Sequence, residues 1–323
     1  MNSQRQPRRI VLAGGTGQVG QILQRAFAAA GDDVTVLSRC VNGPDQLAWD
    51  GRQLGEWAEA VDGADAVVNL AGRSVNCRYT EANLKEMLNS RVDSTRVIGE
   101  AIARARRPPS VWLQMSTATL YAHTLGPAHT ESRGAVGGNE PEVPAYWRRS
   151  VDIALAWEAT LAAAPTPRTR KVALRTAMVM SPDRGGILDV LSGLTRAGLG
   201  GPIAGGGQYV SWIADADLVT ATELLLRRDD ISGPVNLCAP EPLPQREFMA
   251  ALRQAWGQPI GLPATAWMAE LGAWAMRTDT ELLLKSRRVV PERLLQAGMT
   301  FAWPSWPEAA GALVARFGRR EGS

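Results

Sequence analysis

A short apolar run, Arg9–Ala13, ends in Ala13-Gly-Gly-Thr-Gly-Gln-Val-Gly20, and apolar residues at helical spacing begin inside that same stretch. No other feature of the chain constrains the fold as much as this strand-to-helix junction. Gly14 suits the tight turn, Gly17 lets the backbone approach a diphosphate, and Gly20 lets the helix pack on the strand. The helix start supplies free N–H groups and a positive dipole end. Gly14, Gly15, Thr16, Gly17, Gln18, Val19 and Gly20 are therefore predicted to seat the pyrophosphate of a dinucleotide.

Strands and helices alternate downstream. Val19, Ile22, Leu23, Ala26 and Phe27 mark one helix face, Gly31-Asp32 stops it, and 34–37 reads as a second strand. Residues 47–49 form a short extended piece, 54–61 an amphipathic stretch, and 66–70 another strand. Thr80 is placed to cap a long helix whose apolar face runs from Leu84 to Ile102, before Pro108-Pro109. Residues 111–115 and 172–180 read as strands flanking a helix over 149–163. Such alternation predicts an α/β fold, a doubly wound parallel Rossmann sheet.

Past residue 180 the pattern changes. Residues 193–207 hold seven glycines in fifteen positions, which predicts a moving flap. A strand or turn over 208–217 leads into a helix over 218–227; a strand at 235–238 and a helix over 245–256 follow. The remainder reads as helical and Trp-rich (Trp267, Trp274, Trp303, Trp306), with Pro291 opening one helix and Gly298 closing it. We expect residues 1–180 to form an NADP-binding Rossmann domain whose sheet later strands complete. Residues 181–323 are expected to form a smaller, mixed but mainly helical, C-terminal substrate domain.

Charge and cysteine content narrow the function. Thirty-five Lys plus Arg against 32 Asp plus Glu leave +3 over 323 residues, too balanced for a nucleic-acid binder. Cys40, Cys77 and Cys238 lie far apart, and only two histidines are present, so neither a disulfide framework nor a metal site is expected. No apolar run reaches the roughly 18 residues of a membrane span, and the polar start is no signal peptide. The expectation is a cytoplasmic protein with a small-molecule substrate, no nucleic-acid or membrane partner, acting as monomer or homodimer.

The nucleotide is selected at the end of the second strand. An acidic residue there would hold ribose hydroxyls; this chain has Ser38-Arg39, a hydroxyl and a guanidinium suited to a 2′-phosphate. NADP(H) is thus expected over NAD(H). Trp49-Asp50 is expected beside the adenine.

Together these residues resemble the extended short-chain dehydrogenase/reductase superfamily. Its glycine motif is similar to AGGTGQVG, its cofactor-lining segment to Asn69-Leu70-Ala71-Gly72, and the end of its fifth strand to Ser116-Thr117-Ala118-Thr119-Leu120-Tyr121. More narrowly, the chain resembles the atypical "epimerase family" group with an uncharacterised C-terminal domain, in Asn89-Ser90-Arg91, Trp157-Glu158, Leu174-Arg175-Thr176, Gly198-Leu-Gly-Gly201, Gln208–Ile213, Gly233–Leu237 and Ser286–Pro291. The resemblance implies cofactor contacts from Asn69, Leu70, Ala71, Gly72, Ser116, Arg175 and Thr176. It also implies that Thr117 hydrogen-bonds a substrate carbonyl and that Gln208 lies on the substrate side.

Superfamily catalysis uses a tyrosine with a lysine four residues later. The four tyrosines here, Tyr79, Tyr121, Tyr146 and Tyr209, are followed at that distance by Asn83, Leu125, Ser150 and Ile213. Aligned on Trp157-Glu158, the pair falls on Ser150 and Ala154. The standard proton relay is absent, and only Lys85, Lys171 and Lys285 can supply lysine chemistry. Tyr121 and His123 just past the fifth strand, Tyr146 before the next helix, and Glu131 are the remaining proton carriers, with Tyr121 and Tyr146 preferred. Arg91 is the candidate for a substrate carboxylate or phosphate. The C-terminal tryptophans are read as core, and Cys77 and Cys238 as inert.

Two functions follow. One is an NADP(H)-dependent oxidoreductase or epimerase-like enzyme acting on a small carbonyl or hydroxyl compound. The other is an NADP(H)-binding sensor with little or no turnover. The developed second domain favours the enzyme, and the missing Tyr–Lys pair favours the sensor.

Overall fold

The computed structural model describes residues 6–141, 143–265, 267–268 and 279–321; Trp274 lies outside them. In chain order the strands are β1 (Arg9–Ala13), β2 (Asp33–Ser38), β3 (Gln46–Ala48), β4 (Ala66–Asn69), β5 (Val111–Thr117), β6 (Arg170–Thr176), β7 (Met178–Met180), β8 (Tyr209–Val210), β9 (Trp212–Ala214), β10 (Gly233–Leu237) and β11 (Leu243–Pro244). Seven of them form one sheet in the order β10-β6-β5-β4-β1-β2-β3. All six of its pairings are parallel.

Why the sheet is covered on both sides is visible in β1. Its residues alternate between faces, so Ile10 and Leu12 enter one core while Val11 and Ala13 enter the other. Helix α1 (Gln18–Ala29) buries Ile22, Leu23 and Phe27 on the first side. On the second, α2 (Glu81–Arg104) contributes Val97, Ile98 and Ile102, packed with Trp112 of β5 and Leu161 of α3 (Arg148–Ala163). Thr80 caps α2 as expected, its hydroxyl accepting from the Asn83 N–H. Strand order reverses at β1, between β2 and β4, and this is where open α/β sheets leave a crevice for ligands.

Among the described residues the remaining helices include α4 (Ile187–Arg196), α5 (Asp215–Arg227), α6 (Gln245–Ala255) and, after residue 279, Glu281–Leu284, Glu292–Gln296 and Trp306–Glu321. Pro291 stands immediately before the second of these, and Gly298 follows it with a φ of 78°. The core beyond the main sheet is aromatic. Trp306 stacks on Phe248 with ring centroids 4.0 Å apart and meets Trp212 edge-on at 5.0 Å. Its indole N–H donates to the Phe248 carbonyl at 2.8 Å. Trp303 is half-buried there, whereas Trp267 is exposed.

Two expectations need correction. The strand over 172–180 breaks at Ala177, because the backbone changes partner: Ala177 N–H donates to Leu237 of β10, but Met178 N–H donates to Ser211 beside β9. The amphipathic stretch 54–61 is a 3-10 turn, Glu56–Val61, that buries Trp57 and Val61 and leaves Glu56 and Glu59 exposed, as its pattern predicts. The glycine-rich stretch 193–207 is tied down rather than free. Gly193 lies inside α4, the Gly200 carbonyl accepts from Arg253, and Gln245 bonds both Gly201 and Ile203. A side chain at Gly201 would meet the Leu262 carbonyl oxygen at 2.2 Å, so Gly201, like Gly200 and Gly206, serves close packing, whereas Gly193, Gly205 and Gly207 have open space beside them. Among the described residues no helix is long and apolar enough to cross a membrane.

Candidate functional site

The turn after β1 is built as its glycines require. Gly14 has a φ of 72°, and a Cβ there would stand 2.7 Å from the Ala71 Cα, so the turn nests against the segment leaving β4. A Cβ on Gly20 would collide with the Gly15 backbone, at 2.3 Å from its oxygen, which is how α1 sits so low on the turn. Gly17 differs: a Cβ there meets only the Gly14 oxygen, at 3.9 Å, so its outer side is open.

Gly17 caps α1 with no side-chain hydrogen bond, and no acidic residue occupies the first turn. A second helix, α4, begins alongside. Its cap is Gly186, again with no side-chain bond, and a Cβ there would fall 2.0 Å from the Gln18 amide nitrogen. That nitrogen is buried and has no hydrogen-bond partner. Two glycine-capped helix starts and an unpartnered amide donor thus share one place, a donor set suited to a diphosphate. The contribution of α4 has no signal in the glycine motif itself.

The neighbouring strand ends hold this turn in place. Asn69 is fully buried; its amide donates to Gln114 at 3.0 Å and its carbonyl oxygen accepts from the Ala71 N–H at 3.0 Å. Leu70 N–H donates to the Ala13 carbonyl at 2.8 Å. Asn69 therefore shapes the Ala71-Gly72 segment through its own buried bonds. At the end of β2, Arg39 is exposed, while the Ser38 hydroxyl donates to the Cys40 carbonyl at 2.9 Å. The Ser38 oxygen also accepts the Cys40 N–H at 3.2 Å, so Ser38 has no free proton for a phosphate. Trp49 is in the core, edge-on to Trp57, and Asp50 accepts from the Arg52 and Gln53 N–H groups, so neither is held in readiness for an adenine.

At the end of β5, Thr117 Oγ1 accepts from the Thr119 N–H at 3.1 Å, which leaves its own proton to donate. Its neighbours on the superfamily pattern are otherwise engaged. Ser116 Oγ donates to Glu158 at 2.6 Å, and Glu158 holds Arg175 through two bonds of 2.9 and 2.8 Å. Arg175 also donates to the Tyr121 hydroxyl at 2.9 Å, and that hydroxyl donates to Asn236 at 2.9 Å. Thr176 Oγ1 donates to the Leu174 carbonyl. Ser116, Arg175 and Thr176 thus brace β5, β6 and α3 from behind instead of presenting polar atoms to a cofactor.

The same network corrects the expectation for Tyr121. Its side chain is 1% exposed, stacked on His129, and burial pushes its phenol above the ordinary value. It cannot meet a substrate. Gln208 is also committed, its amide donating to the Ile203 and Leu283 carbonyls. His123 accepts from the Ser286 N–H through Nδ1, and Glu131 accepts from the Asn236 N–H. Tyr146 alone of the preferred phenols is exposed, where its hydroxyl meets Thr280 Oγ1 at 3.0 Å.

Arg91 stands between α2 and α3. It donates to the Met87 carbonyl, lies 4.9 Å over the Trp157 ring, and sits against Gly72. No carboxylate among the described residues pairs with it, and burial pulls its guanidinium down to about 10.

Beside it the structure assembles groups that the sequence left scattered. Ser150 donates to Glu281, and the Tyr79 phenol stands beside Ser150. Lys285 Nζ stands 3.5 Å from Glu281 and donates to the Thr119 carbonyl at 2.8 Å. Arg287 donates to Thr119 Oγ1 and to the Glu281 carbonyl. The only hint in the sequence was the scarcity of lysine; Ser150 lies 131 residues from Glu281, and Thr119 lies 166 from Lys285.

A parallel sheet with a glycine turn at its switch point defines a Rossmann-like fold. Comparison with known proteins gives the family. The model of the NAD dependent epimerase/dehydratase family matches residues 10–238, and that of a domain of unknown function, DUF1731, matches 264–313. The epimerase family protein SDR39U1 of Bos taurus is 32% identical over 313 residues, covering 95% of this chain and 100% of its own. An epimerase family protein of Mycobacterium bovis is 31% identical, with 96% and 98% covered. The crystal structure of human SDR39U1 (isoform 2) with NADPH superposes with a TM-score of 0.83 at 28% identity, covering 95% of this chain and 99% of that one. A nucleoside-diphosphate sugar epimerase structure from Corynebacterium glutamicum gives 0.75 at 25% identity, covering 98% and 62%. The chain belongs to the NAD dependent epimerase/dehydratase family.

Proposed function

We propose that this protein is an NADP(H)-dependent oxidoreductase or epimerase-like enzyme acting on a small carbonyl or hydroxyl compound. The observation that carries the reading is the meeting of two glycine-capped helix starts around the unpartnered Gln18 amide. Gly14 to Gly20 hold the diphosphate, Arg39 takes the 2′-phosphate, and the Asn69–Gly72 segment lines the nicotinamide side. The NADPH in the human relative's structure supports the choice of nucleotide. The bound nicotinamide supplies or accepts the hydride.

Thr117 donates its free proton to the substrate oxygen and so fixes the carbonyl. Arg91, buried without a carboxylate, takes an anionic group of the substrate, as a carboxylate or phosphate would restore its missing counter-charge. The test is to saturate the protein with NADPH and follow nicotinamide absorbance with a panel of aldehydes, ketones, oxo-acids and quinones. Consumption that falls about 100-fold in Thr117→Val supports the enzyme. Tight binding with no consumption of NADPH by any member overturns it in favour of the sensor, the reading that the loss of Tyr-x-x-x-Lys favours.

A further inference from the structure

We propose that Tyr79, Ser150, Glu281 and Lys285 form a proton relay at the carboxyl edge of β5, with Tyr79 as the end that meets a bound carbonyl or hydroxyl compound. The inference rests on the hydride-transfer reading above. The groups stand in series: the Tyr79 phenol beside Ser150, Ser150 donating to Glu281, Glu281 3.5 Å from Lys285, and Lys285 donating to the Thr119 carbonyl. Ser150 stands at the α3 position where the superfamily's tyrosine falls. The phenol and the lysine are thus both present, but each comes from another part of the chain.

Exposure decides which end a ligand can reach. Lys285 and Glu281 side chains are 1% and 0% exposed, and Ser150 is 8% exposed. Tyr79 is half-buried and follows the loop that leaves the Asn69–Gly72 segment. The inner end is anchored two residues beyond Thr117, which orients the carbonyl. Both ends of the relay therefore belong to the edge where the sheet takes its ligands.

In the reducing direction the substrate carbon takes a hydride from the reduced nicotinamide. Its oxygen then takes the Tyr79 proton as the C=O double bond becomes a single bond. The phenolate is refilled by Ser150, Ser150 by Glu281, and Glu281 by Lys285, which is left as a neutral amine. That amine still donates to the Thr119 carbonyl, so no bond of the anchor is lost. Burial is the leading influence on both ionisable inner members: it pulls Lys285 down and pushes Glu281 up, bringing donor and acceptor nearer in proton affinity. Arg287 faces Glu281 and Tyr79, Arg91 and Asp279 also face Tyr79, and Glu140 faces Lys285.

The test has two arms. In the first, tyrosine labelled with carbon-13 at Cζ gives four resonances, with Tyr79→Phe assigning one. That resonance is expected to titrate above the ordinary phenol range, to shift in Ser150→Ala, and to titrate at lower pH in Glu281→Gln. An unchanged Tyr79 resonance in both variants overturns the relay, whether or not a substrate is known. In the second arm, with a compound that the wild type reduces, Tyr79→Phe is expected to lower kcat roughly 100-fold at unchanged NADPH affinity. Ser150→Ala is expected to shift the pH profile of kcat. A Tyr79→Phe variant that keeps its kcat within twofold overturns the relay while leaving hydride transfer standing. No turnover in the wild type overturns the hydride reading and, because the relay is defined by that reaction, its catalytic use with it.

Discussion

Removing Arg175 tests whether that residue belongs to the scaffold or to the cofactor. Its guanidinium makes two bonds to Glu158 and one to Tyr121, all of 2.9 Å or less. Both charged side chains are largely out of solvent, at 13% and 17% exposure. Arg175→Met leaves the Glu158 carboxylate with the Ser116 hydroxyl as its remaining partner and removes a donor from Tyr121. Breaking one side of such a pair costs about 3–5 kcal/mol, because the surviving charge keeps its desolvation penalty. Glu158→Gln should cost somewhat less, since the amide keeps one acceptor. In the double variant the losses should fall short of additive by about 1–3 kcal/mol. Urea titrations of the four proteins, read by tryptophan fluorescence, supply the cycle, and calorimetric titration with NADPH supplies the control. The expected outcome is a large fall in midpoint for Arg175→Met, with NADPH affinity changed by less than about threefold once the protein is folded. A variant of near wild-type stability that has lost NADPH binding would show that Arg175 contacts the cofactor and that the bracing account is wrong.

Two further outcomes are expected. Arg39→Ala should weaken NADPH binding about 10- to 100-fold and leave NADH binding within twofold, measured by calorimetry; equal losses for both nucleotides would refute the 2′-phosphate assignment. His129 donates from Nε2 to the Ala122 carbonyl and accepts the Ala135 N–H at Nδ1, and burial holds its pKa below 6.5. The unfolded chain therefore takes up this proton first as pH falls, so stability contributed by neutral His129 is present above about pH 6.5 and is lost below it. Urea midpoints at about pH 7.5 and about pH 5.5 should separate less in His129→Gln than in the wild type; an equal separation refutes the assignment.

Local rules made the sheet legible. The β-branched runs, the glycine turn and the Thr80 cap each act within a few residues, and the strands and helices up to residue 176 fall where those rules put them. What local rules could not show was where long-range bonds would form. The same unbranched reading of residues 172–180 fails at Ala177 because only the folded chain reveals that β9 displaces β10 as the partner. Seven glycines look loose in a sequence, yet Gly200 and Gly201 are held by Arg253 and Gln245 from α6. Tyr121 has the position of an active phenol and the surroundings of a core residue. Tyr79 was ruled out by spacing alone, although its neighbour Ser150 is 71 positions away and the lysine of its series comes from the last eighth of the chain.

A ribosome making this protein completes β10 at Leu237 and still has Glu281 and Lys285 to add. Every strand of the large sheet is therefore available before the acid and the amine have been synthesised. The residues proposed to seat the nucleotide are thus made before the acid and the amine proposed for the relay.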